Sequence, residues 1–210
     1  MYLWGARNQT RRGAGPKAAS YMGEVRDLVS SITGIPFWSW ACVAGAPLGT
    51  LMMSARVDSM EQFMAATMAV TGNADYAALT KSGADLFDGP TETVMGQVVG
   101  MAGEMGSEPS PLIVVTTATA APGRQGDAMA WGVDMLDYMA ELTGTSGFFT
   151  MAAVGSISDV SWIQSHDDSA SIDRTMGTLM TDEGYRQRMG AAGGLFVAGS
   201  GNRIVMAKMP

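Results

Sequence analysis

Apolar and polar positions change period along the chain, and they do so twice in the same order. In PKAASYMGEVRDLVSSITG the residues Tyr21, Met22, Val25, Leu28, Val29 and Ile32 recur at helical spacing. Pro16 stands where a first helical residue would, and Gly34 where a C-terminal cap would. In the second half Gly132, Met135, Leu136, Met139 and Leu142 draw a similar stripe, closed by Gly144. Both stripes are one-sided, which predicts helices lying on a sheet rather than inside a bundle. β-rich openings, MYLWGARN and PLIVVTTATA, precede these helices, and PFWSWACVAG and GFFTMAAVG follow them. GTLMMSARV and DVSWIQSH come next, each after a short turn of Gly, Pro, Ser or Asp, as a hairpin needs. A second helical region is predicted from Asp58 and from Asp168; DSME reads as a capping box in which Asp58 caps and Glu61 reaches back. ETVMGQVVG and NRIVMAKM read as the closing strands.

The two halves align on particular residues. Thr33-Gly34 falls over Thr143-Gly144 at an offset of 110, where Gly45 also meets Gly155 and Asp58 meets Asp168. Tyr76 and Tyr185, and Phe87 and Phe196, stand 109 apart, so one residue is lost after the Asp pair; Val94 and Ile204 return to 110. Six landmarks in order predict a repeat. Each half reads β-α-β-β-α-β, a ferredoxin-like unit. The expected organisation is a first repeat over 1–99, a Gly/Ser/Pro-rich connector over 100–111 and a second repeat over 112–210. The fold class is α+β, with both helices of each half on one sheet face. The opposite faces would form a large apolar patch unless the two sheets meet.

Such a tandem resembles the dimeric α+β barrel superfamily, whose members include antibiotic-biosynthesis monooxygenases, EthD-type and NIPSNAP-type proteins, muconolactone isomerases, polyketide cyclases and chlorite-dismutase-like haem proteins. The resemblance implies an intramolecular α+β barrel. It is one of architecture across nearly the whole chain, and no motif selects one family, so it carries no catalytic residues with it.

Bulk properties narrow the function classes. A chain of 210 residues with 47% hydrophobic and 16% charged residues supports a packed core. A net charge of −7 disfavours nucleic acid as a partner. No apolar run approaches the ~20 residues a membrane helix requires, so no membrane insertion is expected. The basic residues of MYLWGARNQTRR follow its apolar ones, the reverse of a signal peptide, and the single cysteine, Cys42, makes no intrachain disulfide; both point to the cytoplasm. One His and one Cys far apart give no metal-ligand spacing, and neither phosphate-binding glycine loops nor a GxSxG elbow occurs, so no metal or cofactor is expected. The nineteen methionines suit either an ordinary core or an adaptable apolar surface.

Candidate chemistry sits on the third strand of each half. Alternation puts Met52, Ser54 and Arg56 on one face, and the offset of 110 makes Trp162, Gln164 and His166 their counterparts. Leu51, Met53, Ala55 and Val57 suit the helix-covered side. The mixed set is what lines a cleft. His166, the only histidine, is the candidate acid/base, oriented by Asp167 or Asp168, or an axial ligand; its alternative is a surface strand-end residue before a helix cap. Arg56 is a candidate for holding a carboxylate or enolate, or else an edge residue with its stem on apolar surface. Trp38 and Trp40 share a face and Trp4 opens the first strand, which suits an aromatic-lined pocket or simple core filling. The expectation is binding of a small apolar or aromatic molecule in a cleft between the two sheets, by a cofactor-independent oxygenase, isomerase or cyclase. The alternative is a non-catalytic structural or assembly protein using the barrel as a scaffold. The barrel is expected as a monomer or as part of a homo-oligomer.

Overall fold

A computed structural model describes residues 1–210. The element order is β1 (Tyr2–Thr10), α1 (Gly15–Thr33), β2 (Phe37–Ala44), β3 (Thr50–Val57), α2 (Met60–Thr71), α3 (Ala74–Ser82) and β4 (Phe87–Ala102), followed by β5 (Leu112–Thr119), α4 (Gln125–Thr143), β6 (Gly147–Val154), β7 (Asp159–His166), α5 (Ser169–Thr181), α6 (Glu183–Ala191) and β8 (Asn202–Lys208). The same succession of elements thus occurs twice. Hydrogen bonding orders β1-β3-β2 in the first half and β5-β7-β6 in the second, with every pair antiparallel. Two compact units are distinguished, Met1–Met95 with Ala207–Pro210, and Gly96–Met206.

The long helices follow from their stripes and ends. Pro16 sits in the first turn of α1, and Gly34 takes the left-handed conformation (φ 69°) that ends it, its N–H donating to the Ser30 carbonyl. Gly144 does the same for α4 at φ 71°, donating to the Ala140 carbonyl. In unit 1, α1 buries Ala18, Met22, Val25 and Val29 against Leu51 and Met53 of β3. Ala55 and Val57 continue that row with Ile35, Phe63 and Ala66. In unit 2, α4 and α5 bury Met135, Leu136, Met139 and Leu179 against Phe149, Val160 and Trp162.

Three local expectations are corrected. Each second helical region is two helices, because Gly72-Asn73 and Asp182 interrupt it: the Asn73 side chain accepts from Tyr76 N–H, and Asp182 from Tyr185 N–H, each starting a new helix. The cap of α2 is Ser59, not Asp58. Ser59 Oγ accepts from Gln62 N–H, and the amide side chain of Gln62 returns to the Asp58 N–H at 2.7 Å, so Gln62 completes the reciprocal pair that Glu61 was expected to make. Finally, β4 runs on to Ala102, into the stretch expected as a connector.

The place of the lost residue decides where the side chains point. The β2–β3 turn spans residues 45–49, whereas the β6–β7 turn spans only 155–158. The residue is therefore missing in the hairpin, before the third strand and not after it. Phe37 pairs with Ala55 in unit 1, and Gly147 with Gln164 in unit 2. First and second strands correspond at 110, but third strands correspond at 109. A slip of one residue turns every side chain of a strand to the other face. The counterpart of Arg56 is Ser165, and that of His166 is Val57.

Candidate functional site

The helix-free face of the unit 1 sheet holds the chemistry that the slip left in place. Cross-strand pairing sets its rows: Leu3 stands beside Arg56; Gly5, Ser54 and Trp38 form a second row; Arg7, Met52 and Trp40 form a third. Side chains then lean diagonally between rows. The Trp40 indole N–H donates to Ser54 Oγ at 2.8 Å. The Arg56 guanidinium lies over the Trp38 ring, 5.4 Å from its centroid, in cation–π contact. The tryptophans are buried, at 9% and 2% exposure, whereas Met52, Ser54 and Arg56 are half-buried. At the β4 edge the face becomes accessible. Arg7 Nε donates to Glu92 Oε2 at 3.0 Å, both side chains are well exposed, and Val94 beside Gly5 is 59% exposed.

This arrangement combines buried aromatic side chains, a hydroxyl whose lone pair already accepts from an indole, and a cation held over an aromatic ring. Ser54 keeps its O–H as a donor toward an acceptor on the face. Arg56 supplies donors in a rigid fork suited to a carboxylate or enolate oxygen. The corresponding face of unit 2 carries Ser161, Ile163 and Ser165, with Phe148 and Thr150 on β6, and has neither a tryptophan nor an arginine at those positions.

The remaining candidates lie on the helix-covered sides. Trp4 packs against Phe37 and Phe63, at centroid distances of 5.8 and 6.3 Å, in the core under α1 and α2. Trp162, expected beside the cleft, instead centres an aromatic cluster with Trp131, Phe149 and Phe196, and its indole N–H donates to the Gly132 carbonyl at 2.9 Å. Gln164 is 4% exposed, its amide 4.0 Å from Met139 Sδ. His166 is 2% exposed, with Nδ1 3.1 Å from Ser171 Oγ and Nε2 buried without a partner. Burial lowers its pKa from the ordinary histidine value, opposed more weakly by the Asp167 charge. The structure therefore brings Arg56, Trp38 and Trp40 together and separates Trp4, Trp162, Gln164 and His166 from them. Ser54, which alternation along β3 had placed in the mixed set, joins the site; Arg7 and Glu92 join it without having been singled out, placed by the β1–β3 pairing and by their ion pair.

No group of three or more His, Cys, Asp or Glu side chains is positioned to hold a metal ion. No helix is long and apolar enough to cross a membrane.

No protein-family model matches the chain, and no curated protein matches it in sequence. Solved structures do match it over its whole length. A candidate monooxygenase from Fusobacterium nucleatum superposes with a TM-score of 0.74 at 8% identity, covering 100% of this chain and 92% of its own. A candidate monooxygenase from Lactobacillus acidophilus gives 0.68 at 6% identity, covering 100% and 94%. An anthrone oxidase-like protein gives 0.66 at 11% identity, covering 98% and 90%. These likenesses, at 6–11% identity, show the fold alone, and no family is identified.

Proposed function

We propose that the helix-free face of unit 1 binds a small planar aromatic molecule bearing an anionic oxygen, with the rings against Trp38 and Trp40 and the oxygen at Arg56 and Ser54. The observation that carries this reading is the Arg56–Trp38 stack beside the Trp40–Ser54 hydrogen bond, on a face that no helix of its own unit covers. A guanidinium stacked on an indole directs its N–H groups outward in its own plane, the geometry of an anion contact beside an aromatic wall.

Such a face favours a substrate as its phenolate or enolate, because a positive charge fixed before the reaction stabilises the developing anion. That is the demand common to cofactor-independent oxygenation, isomerisation and cyclisation of aromatic or polyketide-like compounds. The similar structures described as monooxygenases and as anthrone oxidase-like make oxygenation the reaction to try first. His166 plays no part in this proposal, since it lies on the other face of the other unit's sheet.

Titration with 1-hydroxy-2-naphthoate, followed by calorimetry, tests the binding. Saturable binding is expected, weakened by about tenfold or more in Arg56→Met, the scale of a charge-assisted hydrogen bond. Trp38→Leu is expected to weaken it as well, and His166→Val to leave it unchanged. Binding indifferent to both Arg56→Met and Trp38→Leu would sink the assignment. Dioxygen uptake with anthrone as substrate then separates an oxygenase from a carrier.

A further inference from the structure

We propose that Met52 is the adaptable wall of this face and determines how large a ring system it accepts; the inference rests on the reading of that face as the binding surface. The middle row of the face, Gly5–Ser54–Trp38, contains its two smallest side chains. Neighbouring groups lean into the space this leaves. Trp40 is pinned there by its hydrogen bond to Ser54, and Arg56 is held over Trp38.

Met52 fills the rest of the trough. A Cβ built on Gly5 would come 2.3 Å from Met52 Cε and 3.2 Å from Val94 Cγ2, so the thioether methyl occupies the volume that a side chain at position 5 would take. No positive φ calls for glycine at position 5; what a side chain there would meet is the movable end of Met52. A Met methyl is held by dispersion alone and swings about unbranched bonds, unlike the two anchored neighbours. Displacing it opens the trough from the exposed Val94 edge toward Trp38. On this inference a larger ring system requires that the methyl move aside, whereas a smaller one does not.

The test compares 1-naphthoate with anthracene-2-carboxylate on the intact chain. Met52→Ala is expected to improve the three-ring acid by about tenfold relative to the two-ring acid. Gly5→Val is expected to select against the three-ring acid. In the wild type with 13C-labelled Met methyls, the Overhauser contact between Met52 Hε and Gly5 Hα should be present in the free protein and vanish on adding anthracene-2-carboxylate. An unchanged preference in Met52→Ala, with the two-ring acid still bound, or a contact that persists in the complex, would overturn the role of Met52 while leaving the binding face in place. Failure of the two-ring acid to bind the wild type would overturn the binding reading and this inference with it.

Discussion

His166 Nδ1 lies 3.1 Å from Ser171 Oγ, and this single bond satisfies one ring nitrogen while the other is sealed in the protein. Burial penalises the imidazolium, so the folded pKa lies below the ordinary value and below that of the unfolded chain. Between the two values the unfolded state binds more protons. Stability is therefore full above about pH 6.5 and declines as pH falls through that window, levelling once the folded state also protonates. Replacing His166 by Val, the residue that unit 1 carries at the same register position, should flatten the fall in Tm between pH 7 and pH 5. An equally steep fall in the variant would assign the acid sensitivity to other groups.

Gly132 makes a second point of close approach. A Cβ at this position of α4 would come 2.3–2.7 Å from three atoms of the Phe149 ring, which is fully buried. In an open helix Gly→Ala stabilises by about 1 kcal/mol. Here the added methyl drives Phe149 against Trp162, 4.8 Å away between centroids, and overpacking of this kind costs about 1–3 kcal/mol. Gly132→Ala should accordingly be neutral to destabilising in urea denaturation, with near-ultraviolet circular dichroism showing a disturbed aromatic cluster. A clear gain in stability would mean that the ring relaxes freely.

The sequence made the long elements legible because their signals are local. The stripes of α1 and α4, the glycines that end them and the β-rich runs each follow from a few adjacent residues. Which face of β7 meets the helices was not legible, because it depends on one residue of turn length that no local pattern reports. With the gap placed after Asp168, Trp162, Gln164 and His166 read as partners of Met52, Ser54 and Arg56. With the gap in the hairpin, they take the places of Met53, Ala55 and Val57, and burial agrees: Val160, Trp162, Gln164 and His166 are the buried set of β7. The cap residues carried the missing signal. Ser59 and Asp168, the N-caps of α2 and α5, stand 109 apart, so the offset had already changed before them. The unit 1 face was legible from alternation alone, since β2 and β3 contain no such slip.

The hairpin length is a consequence of the register and does not hold it. What holds β7 is burial of Val160 and Trp162 under α4 and α5, and reversing the strand would expose both. Inserting one glycine between Ser156 and Ile157 should therefore be absorbed in the turn, costing about 1 kcal/mol or less, since added loop length is entropically cheap. The Trp162 environment, read by its fluorescence, should not change. A red-shifted emission with a large loss of stability would show that the turn itself dictates the register.

Cys42 offers a direct probe of the proposed face, because it is the only cysteine in the chain and extends the row begun by Trp38 and Trp40. Its thiol is half-buried and donates to the Ala44 carbonyl at 3.3 Å, near the end of the strand. A thiol reagent must therefore approach across the surface that an aromatic ligand would cover. 1-Hydroxy-2-naphthoate at a few times its wild-type Kd should slow modification of Cys42 several-fold in the wild type, and most of that protection should be lost in Arg56→Met at the same ligand concentration. Protection that survives in the variant would place the ligand elsewhere. A modification rate that ligand leaves unchanged, despite binding by calorimetry, would remove the tryptophan row from the site and leave the β4 edge at Arg7 and Glu92 as its location.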